Sequence, residues 1–226
     1  MIGVFDSGAG GLCACRELRR LLPRCDILFL ADRKNAPYGT KSPEELAELI
    51  KNDIKRLRNM GAEKILSACC TASSMLSRQD VGDTRDVIPI IAPAAACAAR
   101  HERVTVIATE HTVRVSAFGR EIKRLSARTE ADEIPMQRLV ALIEGGMRDG
   151  ALTPEGLRLA EDIADAVGKR GSTALILGCT HFSHLENTFK ALLPHTEIIN
   201  PAKLGAKAIA SEAASLSGRG RTIYTE

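Results

Sequence analysis

The sequence predicts an α/β fold built on central parallel sheets, and three observations carry that prediction. Short apolar or β-branched runs alternate with longer helical patterns along the whole chain. Several of the short runs, such as Ala174-Leu175-Ile176-Leu177, are continuously apolar, as expected of parallel strands buried on both faces. The chain is also loosely duplicated: Lys64–Thr71 and Thr173–Thr180 each read as an apolar strand that ends in cysteine and threonine.

Taken in order, the predicted strands are Ile2–Phe5, Ile27–Ala31, Lys64–Ala68, Val87–Ala92, Val104–Ala108, Ala174–Gly178, Glu197–Asn200 and Thr222–Tyr224. Between the second and third, Ser42-Pro43-Glu44-Glu45 supplies an N-cap, a proline at the first helical position and a glutamate three residues after the cap. Leu46, Leu49, Ile50 and Leu57 then share one face, and Gly61 supplies the stop. Thr153-Pro154-Glu155 opens a second helix with Ala160, Ile163, Ala164 and Val167 on its inner side. Alternating β and α elements imply right-handed crossovers. Pro93 and a helix over Ala94–Ala99 mark the crossing between halves, so residues 1–92 with 197–226 form one subdomain and residues 93–196 the other. Ligands of parallel sheets bind beyond the carboxyl ends of the strands. Two such ends carrying one cysteine each point to an active site in a cleft between the two pseudo-symmetric halves.

Composition excludes several classes. A net charge of +3, spread along the chain without basic runs interleaved by aromatics, argues against nucleic acid. No apolar run is long enough for a membrane span, and Met1-Ile2-Gly3-Val4-Phe5 enters a strand without the features of a signal peptide, so a cytoplasmic protein is expected. The seven cysteines are an odd number, which fits free thiols in a reducing compartment. Cys13-Ala14-Cys15 and Cys69-Cys70 lack structural-zinc spacing, and only His181 and His184 have a chelating interval, so no metal is assigned. Cys13, Cys15, Cys25 and Cys97 read as small core residues.

Two thiols facing one carbon have a definite chemistry. A thiolate is a base and a thiol an acid, and an intrinsic pKa near 8.5 puts both forms within reach of neutral pH. On opposite faces of an amino acid's α-carbon, one removes a proton while the other delivers one, inverting the centre without a cofactor. Asp6-Ser7, Thr71 and Thr180-His181 are polar neighbours at the relevant strand ends. The same residues admit plainer roles: a turn with a helix cap for Asp6-Ser7-Gly8, a cap or core residue for His181, loop packing for Tyr38.

Gly3-Val4-Phe5-Asp6-Ser7-Gly8-Ala9-Gly10-Gly11-Leu12 resembles the opening of glutamate racemases, and Pro37-Tyr38-Gly39-Thr40 resembles their second substrate loop. Ala68-Cys69-Cys70-Thr71-Ala72-Ser73 is similar to the family's A-C-N-T-A-S, and Leu177-Gly178-Cys179-Thr180-His181-Phe182 to its L-G-C-T-H-Y. Val106–Thr112 resembles a V-I-G-T-x-x-T segment, and Leu142-Ile143-Glu144 an L-[VI]-E one. These matches run in order through nearly the whole chain. The resemblance implies two α/β subdomains related by a pseudo-twofold, with Cys69 and Cys179 as the proton-transfer pair and Asp6, His181 and Glu144 as their helpers. It further implies a glutamate pocket lined by Asp6, Ser7, Tyr38, Gly39, Cys70, Thr71, Thr112, Thr180 and His181, with no pyridoxal phosphate, metal or other cofactor. D-glutamate for peptidoglycan, made in a bacterial cytoplasm, is the implied product.

Three departures qualify that expectation. Cys70 replaces the family's asparagine, and a thiol donates and accepts hydrogen bonds only weakly, so substrate binding is expected to weaken or the substrate to change. The ungapped internal repeat aligns Cys70, not Cys69, with Cys179, whereas the family pattern sets the base two positions before the threonine and favours Cys69. The chain ends at Thr222–Glu226, where the family continues into a closing helix; the surface it would cover is expected to be exposed or buried in an oligomer such as a homodimer. Phe182 stands for tyrosine and Asn200-Pro201 for an Asp-Ser turn, both mild. Rival readings are an aspartate racemase, a racemase-like binding or regulatory protein, and a redox or metal protein built on Cys69-Cys70.

Overall fold

A computed structural model describes residues 1–146 and 152–226. In chain order, the first stretch comprises β1 (Ile2–Asp6), α1 (Leu12–Leu21), β2 (Ile27–Ala31), α2 (Pro43–Asn59), β3 (Lys64–Ser67), α3 (Cys70–Ser73), β4 (Val87–Pro89) and α4 (Ile91–Ala98). There follow β5 (Arg103–Ala108), α5 (Glu110–Arg114), α6 (Ala117–Leu125), β6 (Glu130–Pro135), α7 (Gln137–Gly146), α8 (Pro154–Lys169), β7 (Ala174–Gly178), α9 (Glu186–Leu192) and β8 (Glu197–Ile199). The chain closes with α10 (Pro201–Glu212) and β9 (Thr222–Thr225).

Two compact units result, Met1–Pro93 with Pro201–Glu226 and Ala94–Asn200. The first holds a sheet in the order β4-β3-β1-β2-β9, the second a sheet in the order β6-β5-β7-β8. Every strand pair is parallel. All five residues of β1, β2 and β7 are buried, which is why their sequences, Asp6 at the end of β1 apart, are continuously apolar rather than alternating.

Local chemistry accounts for the element ends. The Ser42 hydroxyl accepts from the Glu45 amide at 3.2 Å, and the Thr153 hydroxyl accepts from the Gly156 amide at 3.2 Å, each followed by proline at the first helical position. Gly61, at φ +92°, turns the chain after α2, a backbone conformation that side chains with a Cβ resist.

Two expectations are corrected. The strand predicted over Val87–Ala92 ends at Pro89, and the chain is helical from Ile91. Pro93 lies in the first turn of that helix, where its missing N–H costs no hydrogen bond. The strand β6 went unpredicted. It is the edge of its sheet and carries Glu130, Asp132 and Glu133, so it has no apolar run to betray it. Among the described residues no helix is long and apolar enough to cross a membrane.

Candidate active site

In the first unit, the candidate side chains Asp6, Ser7, Cys69, Cys70 and Thr71 gather at the carboxyl ends of two paired central strands. Strands β1 and β3 run in register from Ile2 opposite Lys64 to Phe5 opposite Ser67, so Asp6 and Cys69 follow neighbouring strand ends. Asp6 is fully buried and its Oδ1 accepts from the Gly8 amide at 2.9 Å, closing the turn that presents Ser7. Ser7 Oγ lies 3.8 Å from Cys69 Sγ. Cys70 and Thr71, in the first turn of α3, are also buried.

Burial, and next the negative charge of Asp6, push the Cys69 thiol up to about 11; the amides of Ala72 and Ser7 and the Ser7 hydroxyl pull the other way. At neutral pH Cys69 therefore holds its proton and is poised as an acid.

The loop before α2 places Tyr38 and Gly39 in a short buried turn. Tyr38 does not direct its hydroxyl to solvent. Its Oη lies 2.7 Å from Oδ2 of Asp32 and 2.7 Å from Oδ2 of Asp53, and all three residues are buried. Neither aspartate was singled out in the sequence. Asp53 had a signal, because it falls on the same face of α2 as Leu46, Ile50 and Leu57, where a carboxyl is out of place. Asp32 had none.

In the second unit, Cys179 follows β7. Gly178 is required just before it: a Cβ there would stand 2.8 Å from the Ile107 carbonyl oxygen and 2.9 Å from the Phe118 ring. Cys179 Sγ lies 3.5 Å from His181 Nδ1, and His181 Nε2 lies 3.0 Å from Glu144 Oε1. Cysteine, imidazole and carboxylate thus form a chain that can pass a proton from the buried thiol toward the half-exposed Glu144. Thr180 is buried beside them.

Thr112 is fully buried in α5, where its amide donates to the Thr109 hydroxyl at 3.4 Å and the two hydroxyls are 2.9 Å apart. Among the departures, Phe182 is a core residue of this unit. Asn200 is structural too: its amide nitrogen donates to Glu186 Oε2 at 2.8 Å and its oxygen accepts from Ser183 at 3.2 Å.

Two parallel α/β units, each with a cysteine at the carboxyl end of a central strand, correspond to a recognised class. The overall fold is that of racemase structures, including glutamate racemase from Thermus thermophilus in complex with β-chloro-D-alanine (TM-score 0.85, 33% identity, 99% of this chain and 86% of that one). Glutamate racemase from Francisella tularensis, in complex with D-glutamate, superimposes with a TM-score of 0.85 at 27% identity over 99% of this chain and 85% of that one.

The chain belongs to the Asp/Glu/hydantoin racemase family, whose model matches residues 16–209. Among sequence relatives, a glutamate racemase of Bifidobacterium adolescentis is 38% identical over 205 residues, covering 88% of this chain and 78% of the relative.

Proposed function

We propose that this protein interconverts L- and D-glutamate by two-base proton transfer, with Cys69 and Cys179 as the acid–base pair. The supporting observation is that each thiol follows a central strand with a polar partner at hand, Ser7 for Cys69 and His181 for Cys179. In one direction a Cys179 thiolate takes the α-proton. The electron pair left at Cα is delocalised into the substrate carboxylate, and the Cys69 thiol delivers its proton to the opposite face. In the other direction the roles reverse, so each turnover leaves the thiol and thiolate exchanged. Burial and then the charge of Asp6 raise the proton affinity of Cys69, and the His181–Glu144 pair stands beside Cys179. The names of the relatives supply glutamate as substrate, and the family resemblance adds D-glutamate for peptidoglycan, made in a bacterial cytoplasm.

The test is proton NMR of L-glutamate in D2O with purified protein. The α-proton signal is expected to disappear, and Cys69→Ala and Cys179→Ala each to lower racemisation on the order of 10²–10⁴-fold or more. Absence of exchange with both glutamate and aspartate would sink the reading.

Cys70 favours one variation, a weak or altered preference among acidic substrates. Restoring the family residue with Cys70→Asn is expected to lower KM for glutamate roughly 5- to 150-fold, the equivalent of regaining a substrate hydrogen bond of about 1–3 kcal/mol. If the same change instead abolished exchange while Cys69→Ala left it intact, Cys70 would be the base.

A further inference from the structure

The Tyr38 hydroxyl presents a problem of proton number. It carries one hydrogen, yet its oxygen is 2.7 Å from a carboxylate oxygen on each side. If both aspartates were ionised, only one contact would be a hydrogen bond; the other would set two oxygen lone pairs against each other in a buried site. A second proton resolves the conflict, and the surroundings decide where it sits. Asp32 accepts from the Asn35 amide at both oxygens, 2.9 Å each, which is a setting for an anion. Asp53 projects from the apolar face of α2 among Leu46, Ile50 and Leu57.

Deprived of water, Asp53 is the better holder of the proton. Burial, opposed by the Tyr38 hydroxyl and reinforced by the negative charge of Asp32, pushes it from 3.8 up to about 7. Arg56, one turn further along α2, pulls down more weakly, and Asp6 at the end of β1 pushes up. Arg56 is also engaged by the carbonyl of Glu226 and the hydroxyl of Thr225. The resulting chain runs from the Asp53 acid to Tyr38 Oη, from the Tyr38 O–H to Asp32, with Asn35 behind.

We propose that Asp53 is a positioning residue, a neutral carboxylic acid that pins Tyr38 and with it the Pro37–Thr40 substrate turn, so that substrate affinity falls as Asp53 ionises. Once the proton leaves, two carboxylates confront one hydroxyl, and the turn that carries Gly39 loses one of its two anchors. The consequence for substrate rests on the racemase reading; the buried acid does not.

The experiment therefore has two arms. On the protein without substrate, infrared difference spectra between about pH 6 and pH 8 should contain a protonated-carboxyl band. The ordinary carboxylates are ionised throughout that range and contribute none. The band is expected to vanish in Asp53→Asn, whose amide donates to Tyr38 at every pH, and the Gly39 amide resonance should titrate in step in the wild type only. With glutamate, the wild-type KM should rise about tenfold between about pH 6 and pH 8 at steady kcat, following the fraction of competent turn, and Asp53→Asn should flatten that rise.

Absence of the band overturns the assignment. A band without movement of Gly39 overturns the pinning of the turn, and a flat KM in the active wild type overturns its effect on substrate. Absence of turnover at any pH removes the racemase reading and leaves the acid and the turn to be decided by the first arm alone.

Discussion

At the residue scale, the two cysteines differ in how their surroundings treat the thiol. Cys69 is closed in beside Asp6, whose charge adds to burial in raising its proton affinity. Cys179 has an imidazole within reach. An ordinary cysteine gains thiolate tenfold per pH unit and then saturates near its pKa of about 8.5. Held at about 11, Cys69 has no such plateau in the accessible range. Alkylation of Cys69 by iodoacetamide, read site by site by mass spectrometry in the ligand-free protein, is expected to be slow at neutral pH. It should keep rising about tenfold per unit through pH 9 to 10. A plateau near pH 8.5 at Cys69 would show that Asp6 and burial do not govern it. Fragment ions that break the chain between the two residues separate Cys69 from its neighbour Cys70.

At the scale of elements, the edge strand β9, paired along β2, is also clamped at its start by one carboxylate. Asp26, just before β2, accepts through Oδ1 from the Arg219 amide at 3.0 Å and the Arg221 amide at 2.9 Å, and through Oδ2 from the Arg221 guanidinium at 3.0 Å. These bonds, the Arg221 amide foremost and then its guanidinium, hold the Asp26 carboxyl down at about 2 against an ordinary 3.8. A lowered carboxyl stabilises the folded form above the ordinary value, and the contribution is lost as pH falls through about 2. Asp26→Asn removes the anion while keeping the shape. Hydrogen exchange over Thr222–Thr225 is expected to speed up with β5 and β7 unchanged, and the wild type should approach the variant's rates, after correction for intrinsic exchange, as the pH drops toward 2. Equal protection in both proteins at neutral pH would refute the clamp.

This clamp was invisible in the sequence, because Asp26 and Arg221 are nearly 200 positions apart. The strands β1, β2 and β7 were legible because burial on both faces leaves them apolar throughout, Asp6 at the end of β1 apart. Strand β6 was not, since an edge strand tolerates acids. The run Val87–Ala98 was divided wrongly because a short apolar stretch has no period to distinguish strand from helix. Asp6, Cys69 and Cys179 were legible as candidates because they coincide with strand ends. The Tyr38–Asp32–Asp53 chain was hidden because three separate segments contribute to it.

At the scale of the whole molecule, the two units are unequal in how they use the chain. The second is continuous, and its core of Ile107, Leu139, Ile163, Leu177, Phe182 and Phe189 is drawn entirely from within it. The first is interrupted. One side of its sheet is filled by α2 against Leu28, Leu30 and Ile65. The other side needs α10, which packs on α1, β3 and β4 and brings Gly205 against Ile90 and Leu66. That helix arrives only after the second unit has been traversed, so the first sheet must wait for a distant segment, the slow kind of contact. A fragment of residues 91–200, which keeps α4 whole, is therefore expected to unfold cooperatively in urea by itself. A fragment of residues 1–93 should bind apolar dye and melt without a transition, because without α10 the face of β3 and β4 beside α1 is uncovered. Adding a peptide of residues 201–226 to the latter should restore cooperativity, since it supplies both α10 and the edge strand β9. If 1–93 folds cooperatively alone, α10 is a covering rather than a structural requirement; if 91–200 does not fold, the second core depends on the first, and the division into units describes contacts without describing stability.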